Sequence, residues 1–412
     1  MDTFTTITIL VTISALISYL NHRYVKLPGT IGIMVIAISL SVVIMITGKT
    51  FPSVYNFISE LTSSIDFTKT LLDVMLAFLL FASALHFDFE KLKAQKRPVL
   101  ILSTVGVIGC TMIFGFLFYW ATSFLHIEIP LMYCFLFGAL ISPTDPVAVL
   151  SVLKKSKIPH SLETIIGGES LFNDGVGILL FVTLRELTEN TGMAFSWSHS
   201  SLLFAQEVFG GILLGVASGY FCTRLVKKVD ELQTILMITL SMVMGISVVG
   251  GLLHVSIPLA AVTAGLMLSN MRLGENANTV HLKDILDKVW GLIDDLLNTI
   301  LFVMIGLQIM VIPFFKNYWL ISLLSVVFVL IARGLSIAAP TILMKRSLKT
   351  DYNRLGILIW AGLRGGISVA LALSLPDSPY KPLIVSASYI IVIFSIIVQG
   401  LTLNKVVNKL VK

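Results

Sequence analysis

Apolar runs of about 17 to 25 residues recur from end to end of this chain, each long enough to cross a hydrocarbon core of ~30 Å as a helix. In lipid a segment must satisfy its own backbone N–H and C=O groups, so such runs fold as helices. Thirteen are read, at 4–21, 30–48, 70–88, 98–120, 130–152, 162–188, 202–226, 232–251, 256–271, 295–312, 318–345, 353–376 and 382–405. Segment 52–66, with Pro52, Glu60 and Asp66, is a poor span and reads as a partial helix or an outer loop. Segment 275–295 mixes charged with apolar residues and reads as an interfacial helix. With 56% hydrophobic and 13% charged residues over 412 positions, the chain reads as an all-α polytopic membrane protein of about 13 transmembrane helices.

Lysine and arginine distribution tests this division, because short cytoplasmic loops collect basic residues. Twenty-two of the 29 fall in the odd-numbered loops and the C-terminal tail, whereas only Lys49, Lys69, Lys316 and Lys381 face the other way. The chain is therefore expected in the cell (inner) membrane, N-terminus outside and C-terminus cytoplasmic. Its net charge of +6 points to inner-leaflet lipid rather than nucleic acid. Cys110, Cys134 and Cys222 lie inside spans without metal-ligand spacing and read as small apolar residues. Gly48-Lys49-Thr50 lacks the upstream glycine of a phosphate loop, which excludes nucleotide binding there. No cofactor is expected, and the chain reads as a transporter rather than an enzyme.

Ionisable residues inside such spans are costly and mark ion pathways. Gly168-Glu169-Ser170-Leu171-Phe172-Asn173-Asp174 places two carboxylates, a hydroxyl and an amide in one apolar run. Glu169 and Asn173 are four apart, as are Ser170 and Asp174, so all four share one broad helix face. That face is a plausible cation cradle. One acid is expected to be paired and the other not, with Arg364 and Arg333 available as partners; Arg333, deep in its span, reads as a structural partner for a carboxylate or a carbonyl end.

Two spans carry breaks at similar depth. Ser142-Pro143-Thr144-Asp145-Pro146 holds two prolines, each removing a backbone donor, and Gly362-Leu363-Arg364-Gly365-Gly366 is a flexible run. The breaks fall in the fifth and twelfth runs, seven crossings apart, which reverses the membrane side. Two inverted six-helix repeats follow, 1–190 and 230–412, with 202–226 as linker inside a single membrane transport domain, 1–412. Paired interruptions of this kind point to a transporter's midplane site, where Asp145 and Arg364 complement the half-helix ends.

These three motifs, in this order and across nearly the whole chain, resemble the sodium/proton exchanger family that includes the prokaryotic NhaP-type antiporters. The resemblance implies secondary exchange of Na⁺, or Li⁺ or K⁺, for H⁺, in a homodimer whose mobile six-helix core works by alternating access. Position by position, it makes Asp174 the residue that takes cation and proton in turn, with Asn173 its neutral partner. Ser170 and the Thr144 carbonyl would be further cation ligands, Asp145 a nearby carboxylate, and Glu169 with Arg364 a buried structural ion pair. Relatives commonly carry a glutamate near Ala82, which this chain lacks, and the long regulatory tail of animal exchangers is also missing. A carboxyl competed for by cation and proton, with Asn173 neutral, moves one charge each way, so exchange is expected to be electroneutral 1:1 with a role in pH homeostasis. A sodium-coupled symporter of a small organic solute is the alternative, and it requires a roomier, more polar cavity. His86, His126 and His254 sit near helix ends and read as interfacial rather than as pH sensors.

Overall fold

The computed structural model describes residues 2–48, 50–153, 158–189, 197–270, 277–310, 318–343 and 352–410. Its helices are α1 (Phe4–Val25), α2 (Gly29–Thr47), α3 (Pro52–Ser64), α4 (Phe67–Leu85), α5 (Lys96–Phe124), α6 (Leu131–Ile141), α7 (Pro146–Leu153), α8 (His160–Glu189), α9 (Trp197–Val226) and α10 (Leu232–Leu252). There follow α11 (Ile257–Ser269), α12 (Ala277–Gln308), α13 (Trp319–Leu343), α14 (Tyr352–Trp360), α15 (Gly366–Leu373) and α16 (Lys381–Leu410). No strand occurs among the described residues. Among the described residues ten helices are long and apolar enough to cross a membrane, and the protein is a multi-span membrane protein.

Each apolar run coincides with a helix or, at the two breaks, with a pair of half-helices: α6 with α7, and α14 with α15. Positions 271, 311–312 and 344–345 lie outside the described residues. The 52–66 segment is helical over Pro52–Ser64, 13 residues with proline in the first turn, too short to span. One expectation is corrected. The interfacial segment 275–295 is no separate helix, because α12 runs unbroken from Ala277 to Gln308. Part of its apolar side is buried in protein: Leu286 and Trp290 are buried, while Leu292 is exposed, and the Trp290 ring meets Phe81 edge-on at 4.6 Å.

Buried apolar residues gather into two bodies. One joins α2, α5, α6, α13 and α16; the other gathers α4, α10, α11 and the middle of α12 around Trp290. Small residues bring backbones together where the site lies. A methyl group at Gly138 of α6 would sit 2.5 Å from the Thr111 carbonyl of α5, so only glycine permits that approach. Helix α12 is tied to α2 by Ser41 Oγ, which donates to the Gly306 carbonyl at 2.8 Å. By contrast, little of Phe204–Val226 and Leu232–Leu253 is buried, with Phe209, Leu213, Phe221 and Val248 pointing outward. Apolar faces of this size are stable against lipid and not against water.

Candidate functional site

The two helix breaks touch. Asp145 N donates to Leu363 O at 2.8 Å, so the unwound backbone of one break satisfies the other. Each break also sends its charge across. The Arg364 guanidinium donates to Ser142 O and to Pro143 O, the latter at 2.9 Å, carbonyls at the negative end of α6. Asp145 packs on the start of α15, where a methyl at Gly365 would lie 2.5 Å from its Oδ2. Arg364 is anchored behind: its backbone N donates to Ser395 Oγ at 2.8 Å, Ser395 donates to Gln399 Oε1 at 2.6 Å, and Gln399 reaches back to Trp360 O at the end of α14. Ser395 and Gln399 stand in a π-helical turn of α16.

Helix α8 supplies the polar face predicted for it. Asn173 Nδ2 donates to Thr144 Oγ1 at 2.7 Å, and its Oδ1 accepts from Thr144 N at 3.3 Å. Thr144 Oγ1 and Ser170 Oγ lie 2.8 Å apart. Asn173 thereby clamps the first break. Asp174 is 2% exposed, and among the described residues its Oδ2 is buried with no hydrogen-bond partner. A buried carboxylate oxygen without a partner is a costly arrangement unless something occupies the space before it.

That space is a cavity of about 30 Å³ lined by Thr144, Asp145, Asp174, Ser83, Asn298 and Ser368 among apolar neighbours. One water needs roughly 10–15 Å³, so the volume suits a single small cation or a water or two. Ser83 also lines a second cavity of about 310 Å³, walled by His86, Asp88, Lys91, His160, Glu163, Asp294 and Asp295. Asp88 there caps the short helix Phe89–Ala94, and its bond from Lys91 N, with the Lys91 ammonium at 3.2 Å, holds its carboxyl below the usual carboxylate range. The two cavities share Ser83, and the larger, a polar vestibule, lies on the side that carries Lys91.

One expected pairing is overturned. Glu169 is bonded by Arg333 Nη1, not by Arg364. Arg333 lies on α13 and also reaches Leu358 O at 3.4 Å, with Gly362 packed on its guanidinium, whereas Arg364 is directed at the carbonyls of the first break. The carbonyl ends of a broken helix have no acceptor role left inside the helix, and Arg364, which sits beside them, supplies their donors. Cys110 is likewise more than an apolar filler, since Arg364 Nη2 approaches its Sγ at 3.7 Å. His126 and His254 close helix ends in left-handed conformations, and His86 bridges Ala82 O (2.6 Å) to Asp287 O (3.0 Å).

A model of the transmembrane sodium/hydrogen exchanger family matches residues 11–409. The chain belongs to the sodium/hydrogen exchanger family. Relatives of this exchanger include the Na⁺/H⁺ antiporter NhaP of Pseudomonas aeruginosa, 37% identical over 97% of this chain and 95% of that one. The Na⁺/H⁺ antiporter NhaH of Halobacillus dabanensis is 29% identical over 99% and 98%. The exchanger's fold is that of the sodium proton antiporter MjNhaP1 from Methanocaldococcus jannaschii, with a TM-score of 0.77 at 18% identity, covering 100% of this chain and 99% of the other.

The structure gathers Thr144, Asp145 and Asp174 on one cavity, ties Asn173 and Ser170 to Thr144, and directs Glu169 to Arg333 and Arg364 to the carbonyls of the first break. The motifs do not point to Ser83, Asn298, Ser395 or Gln399. A lone serine or amide in an apolar run carries no signal of its own until the fold brings it beside a charge.

Proposed function

We propose that the chain exchanges Na⁺, or a similar monovalent cation, for H⁺ at the cavity between the helix breaks. The observation that carries this reading is Asp174 Oδ2, a buried oxygen with no hydrogen-bond partner among the described residues, in a carboxyl lining a cation-sized space. Asp174 holds either the cation or the proton, and Asp145 across the cavity adds a second negative charge. Ser170 and Thr144 supply neutral oxygens, the unwound carbonyl of Thr144 among them. Asn173 remains the neutral clamp, so one positive charge moves each way and exchange is electroneutral 1:1. Family membership and the antiporter relatives argue against the symporter reading, as does a cavity of about 30 Å³, which has no room for an organic solute.

The vestibule on the lysine-rich side corresponds to a cytoplasm-facing conformation, with the N-terminus outside and the C-terminus inside the cell membrane. Alternating access then moves the paired breaks relative to the lipid-facing helices. We assign 1–190 and 230–412 as the inverted repeats with 202–226 as linker, a homodimer as the assembly, and pH homeostasis as the physiological role. At Ala82 the side chain is fully buried and outside the cavity lining, and Ser83 lines it instead, so no third carboxylate joins from that stretch.

The test is exchange by purified protein in vesicles holding a trapped pH dye. Asp174→Asn is expected to abolish cation-dependent proton movement, because an amide neither releases a proton nor offers a charge. Asp145→Asn should impair it severely, and Ser170→Ala less. Wild-type rates with Asp174→Asn would overturn the assignment.

A further inference from the structure

Asn298 of α12 lines the same cavity as Asp174 and is 3% exposed. Its Nδ2 donates both to Asp294 O at 2.9 Å and to Asp294 Oδ1 at 3.0 Å, one turn back along the helix. An amide has two N–H donors on nitrogen and an acceptor oxygen, and both Asp294 partners are acceptors, so the flip of the group is settled. With Nδ2 committed to Asp294, the oxygen is the end left for a ligand in the cavity that Asn298 lines. Among the described residues no donor bonds Asn298 Oδ1. An amide inside a span is expensive and is kept where it meets an ion path. Asp294 itself faces the large vestibule, so this i, i+4 pair stands between the vestibule and the ion cavity.

We propose that Asn298 gives a neutral oxygen ligand to the transported cation through Oδ1, with Asp294 as the positioning residue that orients it. The proposal rests on the reading of the Asp174 cavity as the transport site. Its chemical content is distinct. A carboxylate attracts proton and cation alike, whereas an amide oxygen attracts the cation and holds no proton at any working pH. Asn298 therefore tilts the competition toward the cation without altering the proton's hold. Where apparent KM is the cation's own dissociation constant multiplied by a proton-competition factor, losing Asn298 multiplies it by one constant at every pH.

The test compares wild type, Asn298→Leu, Asp294→Ala and Asp174→Asn in vesicles, with Na⁺ and Li⁺ titrated at about pH 7 and about pH 8.5. Na⁺- and Li⁺-dependent thermal stabilisation of the purified protein supplies a readout independent of transport. Asn298→Leu is expected to raise the apparent Na⁺ KM roughly tenfold by the same factor at both pH values, and to move the Na⁺ midpoint of thermal stabilisation equally. Asp294→Ala should give a smaller rise, about threefold, because it removes the Oδ1 acceptor while the bond to the backbone carbonyl of residue 294 survives. An unchanged KM in both variants, with Asp174→Asn inactive, overturns the role of Asn298 alone. A factor that differs between the two pH values overturns it too, since Asn298 would then act on the proton. Exchange persisting in Asp174→Asn overturns the cavity reading together with this inference. If Asn298→Leu yields no folded protein, Asn298→Ala and Asp294→Ala decide, and a wild-type KM in both refutes the inference.

Discussion

Glu169 and Arg333, 164 residues apart in the chain, form a buried ion pair, with side chains 1% and 7% exposed. Removing one partner of such a pair strands the other in a low-dielectric interior at a cost of ~3–5 kcal/mol, while replacing both with apolar groups is often close to neutral. Glu169→Ala or Arg333→Ala alone should sharply lower melting temperature and yield in detergent. The double variant should regain part of that loss. Melting curves that match wild type for both single variants would show that the pair does not brace α8 against α13.

Arg364 braces a different joint, and its neighbour Gly365 sets the distance across it. A methyl at Gly365 would lie 2.5 Å from Asp145 Oδ2 and 2.7 Å from Asp145 Cβ, and the second contact cannot be relieved by rotating the carboxyl. Gly365→Ala should therefore push Asp145 away from α15 and reduce exchange at least tenfold while leaving a folded protein. Folding is checked by size-exclusion profile and exchange by vesicle assay. Gly245, which has no atom within 4 Å of an added Cβ, serves as the control, and Gly245→Ala should behave as wild type.

Charge balance gives a third expectation. With Asn173 neutral and committed to Thr144, one cation exchanges for one proton, and a membrane potential worth ~2.3 kcal/mol per charge per 100 mV has no net charge to act on. Exchange in vesicles should be indifferent to an imposed potassium-diffusion potential. A rate that rises with that potential would require a second titrating group, for which Asp145 is the first candidate.

Much of this was legible in the sequence because lipid is a strict solvent. Hydrocarbon forces helices onto apolar runs, so each run marks a helix or a pair of half-helices, and it penalises charge, so Asp145, Glu169, Asp174 and Arg364 stand out from their surroundings. The prolines at 143 and 146 and the glycines around Arg364 marked the breaks by removing backbone donors or side chains. The partner of Glu169 was less legible. Two buried arginines were available, and which one takes the carboxylate depends on which lies nearer the carbonyl ends of α6, a relation set by helix packing and not by spacing. The continuity of α12 through 285–295 was hidden for a similar reason: its charged residues look interfacial until Trp290 is seen packed on Phe81. Asn298 was hidden because an isolated amide has no periodicity to report it.

The last expectation concerns pH and follows from competition at Asp174. If proton and cation exclude one another there, the cation's apparent KM equals its own dissociation constant multiplied by one plus the ratio of proton concentration to the proton's dissociation constant. Well above the pH of half-protonation KM is flat. Below it, KM rises about tenfold for each unit of falling pH, since proton concentration rises tenfold, while the maximal rate at saturating Na⁺ is unaffected by competition. Acidification therefore suppresses exchange at fixed Na⁺, and added Na⁺ restores it. Initial rates over a grid of Na⁺ concentration and pH measure this directly. A KM that stays constant while maximal rate falls with acid would place the inhibitory proton on a group other than the cation's carboxylate, with the vestibule residues His86 and His160 the first to replace.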